Sequence, residues 1–448
     1  MTLVGRSFLH ASDLHLGVPS KINDGSRGLR DEDTAKIAEE IWNAFRNLIQ
    51  LAIDEKVLFV VLAGDIYNDA DKQDKLQGKF RAALEELGNH GIKVFIIHGN
   101  HDPLGDDTRL RRSLPDNVTV FRKNEPEEFL GAEDGEEKIM VAGVSFGSSR
   151  VPENLAVQFK KFSQGDAKWR VGVLHTSLEG AEGHGDYAPC NEEDLRSAPV
   201  GYWALGHVHL RNDRNQLGPG RWWAYSGNLQ GMHFKPSECH PKGALLVKVS
   251  MQGFEAPEFR ALDTLRFKSL EVSVESAESV EACYQLVSEA IAAAGESSEG
   301  RRLVARIVLT GRVQFYKRLF EEVDAGRFLE NMRSDAGPNW GRVIVAEVTA
   351  SLGPPIDPAK LREGDDLLAT ALKKLDVYYQ DGELISMFKA LLKPLHYQQL
   401  AKLVNKDGDP EIESDVRVHS VYGAQIRDLV ERFLIEAIRN DDEEIVTT

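Results

Sequence analysis

The sequence predicts an α/β layered fold, on three observations. Short apolar runs of strand character alternate with segments of 3.6-residue apolar period up to Leu262. Five polar clusters rich in Asp and His follow directly behind five of those runs. The longest apolar run, Val57 to Ala63, falls far short of the ~20 residues that span a bilayer, which excludes a membrane protein.

The strand candidates are Arg6 to Ala11, Val57 to Ala63, Lys93 to His98, Lys138 to Val144, Arg170 to Leu174, Trp203 to Leu205 and Ala244 to Val249. Between the first two, Asp31 to Lys56 reads as a helix, because Ile37, Ile41, Phe45, Leu48 and Ala52 keep to one face. The pattern changes after Leu262. Ser269 to Val274 reads as strand, Ser279 to Ala294 as helix, Leu303 to Leu309 as strand, Gln314 to Met332 as helix and Val343 to Val348 as strand, a small β-α-β-α-β unit. Beyond Gly353-Pro354-Pro355 the chain turns helical, most strongly over Glu383 to Val404 and Tyr422 to Asn440. Ile426, Leu429, Val430, Phe433, Leu434, Ala437 and Ile438 make one apolar stripe in the last of these, and Pro394 breaks or kinks the one before. The expected domains are 1–262, 263–352 and 353–448.

Composition sets outer limits. A chain of 448 residues allows about three domains. Hydrophobic residues at 42% and charged residues at 28% describe a globular protein. The N-terminal residues lack signal-peptide character, and the three cysteines (Cys190, Cys239, Cys283) form neither a disulfide framework nor a zinc knuckle. The expectation is a reducing cytoplasm. A net charge of −17 repels nucleic acid at long range, so any polyanion site needs local positive charge from metal ions or an Arg/Lys patch.

The five clusters carry the chemistry. They are Asp13-Leu14-His15, Gly64-Asp65, Gly99-Asn100-His101-Asp102, His175, and Gly206-His207-Val208-His209. If their strands are parallel neighbours, all five emerge on the carboxyl edge of one sheet, where open α/β sheets bind ligands. Asp, Asn and His together offer hard oxygen and imidazole nitrogen, a mixture suited to manganese, iron or zinc. Asp-x-His and His-x-His let one turn present two ligands. Seven ligands exceed one tetrahedral site and suit two metals sharing a carboxylate.

This ordered set resembles the calcineurin-like metallophosphoesterase superfamily. Within it the chain resembles the SbcD-type DNA repair exonucleases, and in particular the YhaO-like bacterial branch, which Gly183 to Cys190 and His233-Phe234-Lys235 also resemble. The resemblance implies a four-layer metallophosphoesterase β-sandwich flanked by helices, with a small α/β capping domain and a helical C-terminal tail. It implies one metal on Asp13, His15, Asp65 and His209, and another on Asp65, Asn100, His175 and His207. His101 takes the family's catalytic place near the leaving oxygen. Two divalent ions are implied, manganese first, with magnesium, iron or zinc as alternatives. The implied reaction is direct hydrolysis without a protein nucleophile.

One departure stands out. Many phosphatases of the superfamily carry a second Asp three residues after the bridging one, followed by Arg-Gly; Asn68 and Asp69 stand here instead, which argues against a protein Ser/Thr phosphatase. Asp102 either orients His101 or caps a turn. Candidate substrate contacts are Arg109, Arg111, Arg112, His184 and Tyr187, with Lys160, Lys161, Arg211 and Arg214 as further basic residues. Trp222-Trp223 reads as strand core. The terminal helices either pack on this chain or dock on a partner. The resemblance implies DNA as substrate, an SMC-like, SbcC-type ATPase as partner, and a homodimer through helices near the first motif. The competing functions are a small-molecule phosphodiesterase or nucleotidase and a low-turnover DNA-end tethering subunit.

Overall fold

The computed structural model describes residues 2–17, 29–67, 74–104, 114–122, 125–163, 167–178, 187–335, 342–355, 358–365 and 367–380, with 427, 430 and 431. In chain order the first elements are β1 (Ser7–Ala11), α1 (Asp31–Asp54), β2 (Phe59–Ala63), α2 (Asp74–Asn89), β3 (Lys93–Ile97) and β4 (Val118–Val120). There follow β5 (Glu127–Asp134), β6 (Glu137–Gly143), β7 (Trp169–His175), α3 (Glu192–Ser197), β8 (Tyr202–Gly206), β9 (Asn212–Gly218) and β10 (Arg221–Tyr225). Then come β11 (Gly243–Ser250), β12 (Gly253–Phe254), β13 (Glu258–Ala261), β14 (Leu265–Ser273), α4 (Val280–Glu296) and β15 (Arg302–Arg312). The last are α5 (Tyr316–Asp324), α6 (Arg327–Asp335), β16 (Val343–Gly353), α7 (Pro358–Arg362) and α8 (Leu367–Gln380).

Two sheets face each other. β1, β2, β3 and β4 run parallel in that order, and β11 lies antiparallel on the open side of β1. In the second sheet β6, β7, β8 and β10 are parallel, with β5 and β9 antiparallel at the edges. Strand alternation splits the side chains between two cores. Phe8, Phe59, Val61 and Phe95 point between the sheets and meet Val171, Val173, Tyr202 and Leu245. Leu9, Val60, Leu62 and Ile96 point the other way, beneath α1 and α2. The far face of the second sheet buries Trp203, Leu205 and Trp223 against Phe159 and Leu195 of short helical segments. The order is therefore helix, sheet, sheet, helix, a four-layer α/β fold. Trp222 and Trp223 lie on β10, with Trp223 buried, as strand core requires.

The apolar face of α1 is consumed by this packing. Ile37, Ile41, Phe45 and Leu48 are all buried on the first sheet, each contributing roughly 1.5–3 kcal/mol. Among the described residues no helix is long and apolar enough to cross a membrane.

Residues Leu265 to Gly353 build a separate parallel sheet, β14-β15-β16. Its helices follow local signals. Ser279 caps α4 by accepting a hydrogen bond from the Ala282 N–H (3.2 Å). The single helix expected over Gln314 to Met332 is broken into α5 and α6. Gly326, at φ +75°, ends the first of them, its N–H donating to the Val323 carbonyl (3.0 Å). One face of the sheet has its own core around Val287, Ile291, Leu309 and Phe328. The other contributes Phe267, Val304, Ile344 and Ala346 to the core beneath α1. At the joint the buried Asp263 carboxylate holds Arg266 and Arg301, each at 2.9 Å.

The segment Glu383 to Val404 lies outside the described residues, as does Tyr422 to Asn440 apart from Arg427, Val430 and Glu431. Val430, part of the apolar stripe, is buried, and Glu431 pairs with Arg362 (2.7 Å) and Arg312 (3.6 Å). At these residues the chain packs back on itself.

Candidate metal centre

All five clusters meet, but not on one sheet edge. β1, β2 and β3 deliver theirs from the first sheet, and β7 and β8 from the second. The carboxyl ends of the two sheets point to a common edge, so the ligand-bearing loops face one another. The strands are therefore not all neighbours in one sheet; they are divided between the two sheets of the four-layer sandwich that the resemblance implies.

The two sheets come very close here. A Cβ on Gly206 would stand 1.9 Å from the Ala63 carbonyl oxygen and 2.9 Å from His175 Nδ1. Gly206→Ala should therefore destabilise the fold by about 1–3 kcal/mol, read as a lower urea midpoint at unchanged slope.

Main-chain hydrogen bonds sew the loops together. Asp13, His15 and Leu16 donate their N–H groups to the carbonyls of Gly64, Asp65 and Ile66 at 2.9–3.1 Å. The Asp13 carboxylate accepts the His207 N–H, 3.1 Å to each oxygen. Asp65 accepts the His101 N–H at 2.9 Å. Asp102 accepts the Gly99 N–H and the Ile66 N–H, both at 2.9 Å, so its carboxylate ties the second and third loops to each other. Asp13, His15, Asp65 and His207 all have positive φ (51°, 45°, 51° and 99°). Such backbone costs on the order of 1–3 kcal/mol per residue and concentrates at functional sites.

The side chains converge. His15 Nε2 and His209 Nε2 are 3.2 Å apart, and Asp65 Oδ2 lies 3.4 Å from His175 Nε2 and 3.8 Å from His15 Nε2. Asn100 Oδ1 sits 3.0 Å from His175 Nε2 and 3.2 Å from His207 Nδ1. His175 Nδ1 is held by the Ala63 carbonyl at 2.9 Å. Two groups, Asp13–His15–His209 and Asp13–Asp65–His175, each bring ligand atoms within 4.8 Å of one another. The His101 ring stands 5.0 Å from that of His15, partly exposed. Tyr187 packs its ring on His207 at 4.9 Å. Arg109, Arg111, Arg112 and His184 lie outside the described residues, as do Asn68 and Asp69. Lys160, Lys161, Arg211 and Arg214 are exposed, Arg211 lying over the Phe259 ring at 3.9 Å.

Sequence reading missed Glu238. This buried carboxylate is 2.6 Å from His209 Nδ1, and its other oxygen accepts from Asn228 Nδ2 (2.7 Å) and the Met232 N–H (3.0 Å). Burial would raise its carboxyl, but His209, Lys242 and His233 hold it well below the usual carboxylate range. Lys242, also buried, donates to the carbonyls of His209 (2.7 Å) and Ser237 (2.6 Å). A carboxylate on the far nitrogen of an imidazole fixes its tautomer and direction. Glu238→Gln should weaken divalent-ion binding by about 10–100-fold, measured by calorimetric titration.

The imidazoles differ in charge before any ion binds. Burial drives His15 down to about 4, so it is neutral at pH 7. Burial would also lower His175, but the Asp65 and Asp13 carboxylates and the Ala63 carbonyl raise it to about 9. A pKa raised in the fold stabilises the metal-free protein below pH 6.5, and this is lost as pH climbs through about 9. A ligand imidazole must be neutral, so ion affinity should climb with pH over the same window and binding at pH 7 should release protons. Titrations in buffers of different ionisation enthalpy check this; equal heats would refute it.

Residues 6–211 match the calcineurin-like phosphoesterase family, and residues 267–352 match the middle domain of the metallophosphoesterase YhaO. The chain is 33% identical over 310 residues to the metallophosphoesterase YhaO of Bacillus subtilis, covering 69% of this chain and 72% of that one. It is 25% identical over 283 residues to the DNA double-strand break repair protein Mre11 of Methanocaldococcus jannaschii, covering 61% and 70%. With the Mre11 of Haloferax volcanii the identity is 29% over 286 residues, covering 63% and 58%. The ligand-bearing loops and these matches lead to one conclusion: the chain belongs to the calcineurin-like metallophosphoesterases, hydrolases of phosphate esters.

Proposed function

We propose that this chain is a two-metal phosphodiesterase that hydrolyses DNA, as a 3′-to-5′ exonuclease and endonuclease in repair, with an SMC-like ATPase partner. The carrying observation is the meeting of seven oxygen and imidazole donors, from Asp13, His15, Asp65, Asn100, His175, His207 and His209, on one edge of two sheets, with His101 beside them. This donor set fits two divalent ions, and manganese suits its mixture. Bound there, such ions supply an activated water and stabilise charge developing on the phosphoryl oxygens.

The protein's own side chains do the rest. Asp65 faces His15 on one side and His175 on the other, the place for a shared ligand. Asn100 bridges His175 and His207. Asp102 keeps the two carrying loops in register. His101, whose main-chain N–H is held by Asp65 and whose ring stands 5.0 Å from that of His15, would give a proton to the leaving oxygen. Relatives named as DNA double-strand break repair proteins support DNA as the substrate. We assign 1–262 to the nuclease, 263–352 to a cap and 353–448 to ATPase docking.

The net charge of −17 favours a second reading, a small-molecule phosphodiesterase. End-labelled linear DNA, double- and single-stranded, incubated with manganese and with chelator, tests the first. Manganese-dependent shortening supports it, and the label pattern gives the polarity. Turnover of bis-p-nitrophenyl phosphate with intact DNA would replace it with the second. Full ion occupancy with no turnover of either would leave a tethering subunit.

A further inference from the structure

The connection between β10 and β11 touches the metal centre and the cap sheet at once. At one end Glu238 holds His209. At the other, the Phe234 ring meets Phe267 of β14 edge-on, with centroids 5.1 Å apart. The guanidinium of Arg306, from β15, lies over the same ring at 4.4 Å and pairs with Glu347 of β16 at 2.8 Å. Only Lys235, Pro236 and Ser237 lie between Phe234 and Glu238. They form a single helical turn, in which the Glu238 N–H donates to the Lys235 carbonyl at 2.8 Å. Pro236 fixes its own φ and so removes one freedom from the turn. Gln230 clamps the start of the connection to β14, accepting from Thr264 and Leu265 N–H groups (2.9 and 3.3 Å) and donating to the Leu265 carbonyl (2.6 Å).

We propose that this connection makes the cap a positioning element of the metal centre. Phe234, seated on Phe267 and Arg306, sets where Glu238 holds the His209 imidazole. The proposal rests on the two-metal reading above and adds to it a route by which anything that shifts the cap sheet changes one ion's site without touching a ligand. By linkage, filling that site also tightens the Phe234 seat.

The test uses the full chain with Phe234→Ala and, separately, Arg306→Ala, which alters only the cap side of the contact. Manganese binding is followed by calorimetry, and amide exchange is followed at Met232, whose N–H donates to Glu238. One of the two ions should bind about threefold to tenfold more weakly in both variants, the other unchanged. The Met232 amide should exchange faster in the metal-free variants. Wild-type affinity for both ions with unchanged Met232 exchange overturns the proposal. So does an equal loss of both ions with a lower Tm, which marks general loosening. If the wild type binds fewer than two manganese ions, the two-metal reading fails instead, and Met232 exchange alone decides whether the cap reaches Glu238.

Discussion

His101→Ala should bind its ions as the wild type does and lose turnover by about 10²–10⁴-fold, the usual contribution of a positioned proton donor. The two halves of this result have separate structural causes. Ion binding should survive because His101 donates its main-chain N–H to Asp65, a bond that alanine keeps. Turnover should fall because the ring stands at the edge of the cluster, 5.0 Å from His15 and partly exposed, where a leaving group can reach it. The loss should lie in kcat at unchanged KM, since such a donor acts in the transition state. Manganese stoichiometry and phosphodiester hydrolysis, measured on one preparation, decide it. A variant that loses an ion would make His101 a ligand; one that keeps its kcat would remove it from the chemistry.

Asp65→Ala should do the reverse, losing the ions and turnover together. Its carboxylate lies within 4 Å of both His15 and His175 and also receives the His101 N–H. Removing it would strike both proposed ion positions and the loop carrying His101. The loss in activity should exceed about a thousandfold, beyond the 10–100-fold expected for an outer partner such as Glu238. His175, no longer facing that carboxylate, should fall from its raised pKa because burial then dominates. Calorimetric ion titration and histidine NMR titration of the metal-free variant check the two parts. Two ions bound with wild-type affinity would show that Asp65 is not shared.

The site was legible because each donor sits directly behind a strand that is buried on both faces and so reads as a continuous apolar run. Phe59 to Ala63 and Trp169 to His175 are buried throughout. Strands outside that pattern leave no such run in the sequence. Asn212 to Gly218 is a polar edge strand with only Leu217 buried, and Glu127 to Asp134 alternates in and out of solvent. Glu238 was invisible for a related reason. It follows Pro236 and Ser237 in a short turn, a setting that reads as a solvent-facing helix start, and only the fold shows that its carboxylate points inward to His209. Ala325-Gly326 is a signal the sequence does carry, since a glycine inside a periodic segment is also how a helix ends.

The position of β11 has a consequence for biosynthesis. β1 leaves the ribosome long before its antiparallel neighbour, Gly243–Ser250, and Asp13 meets His207 only once β8 of the second sheet is in place. At ~5–20 residues per second, the nascent chain waits on the order of 10–50 s between making β1 and making the strand that flanks it. An N-terminal fragment ending before Gly243 therefore carries an unpaired sheet edge along β1. The candidate ligands are gathered only when the two sheets close, so a divalent ion bound there would lock a finished scaffold and would not nucleate folding.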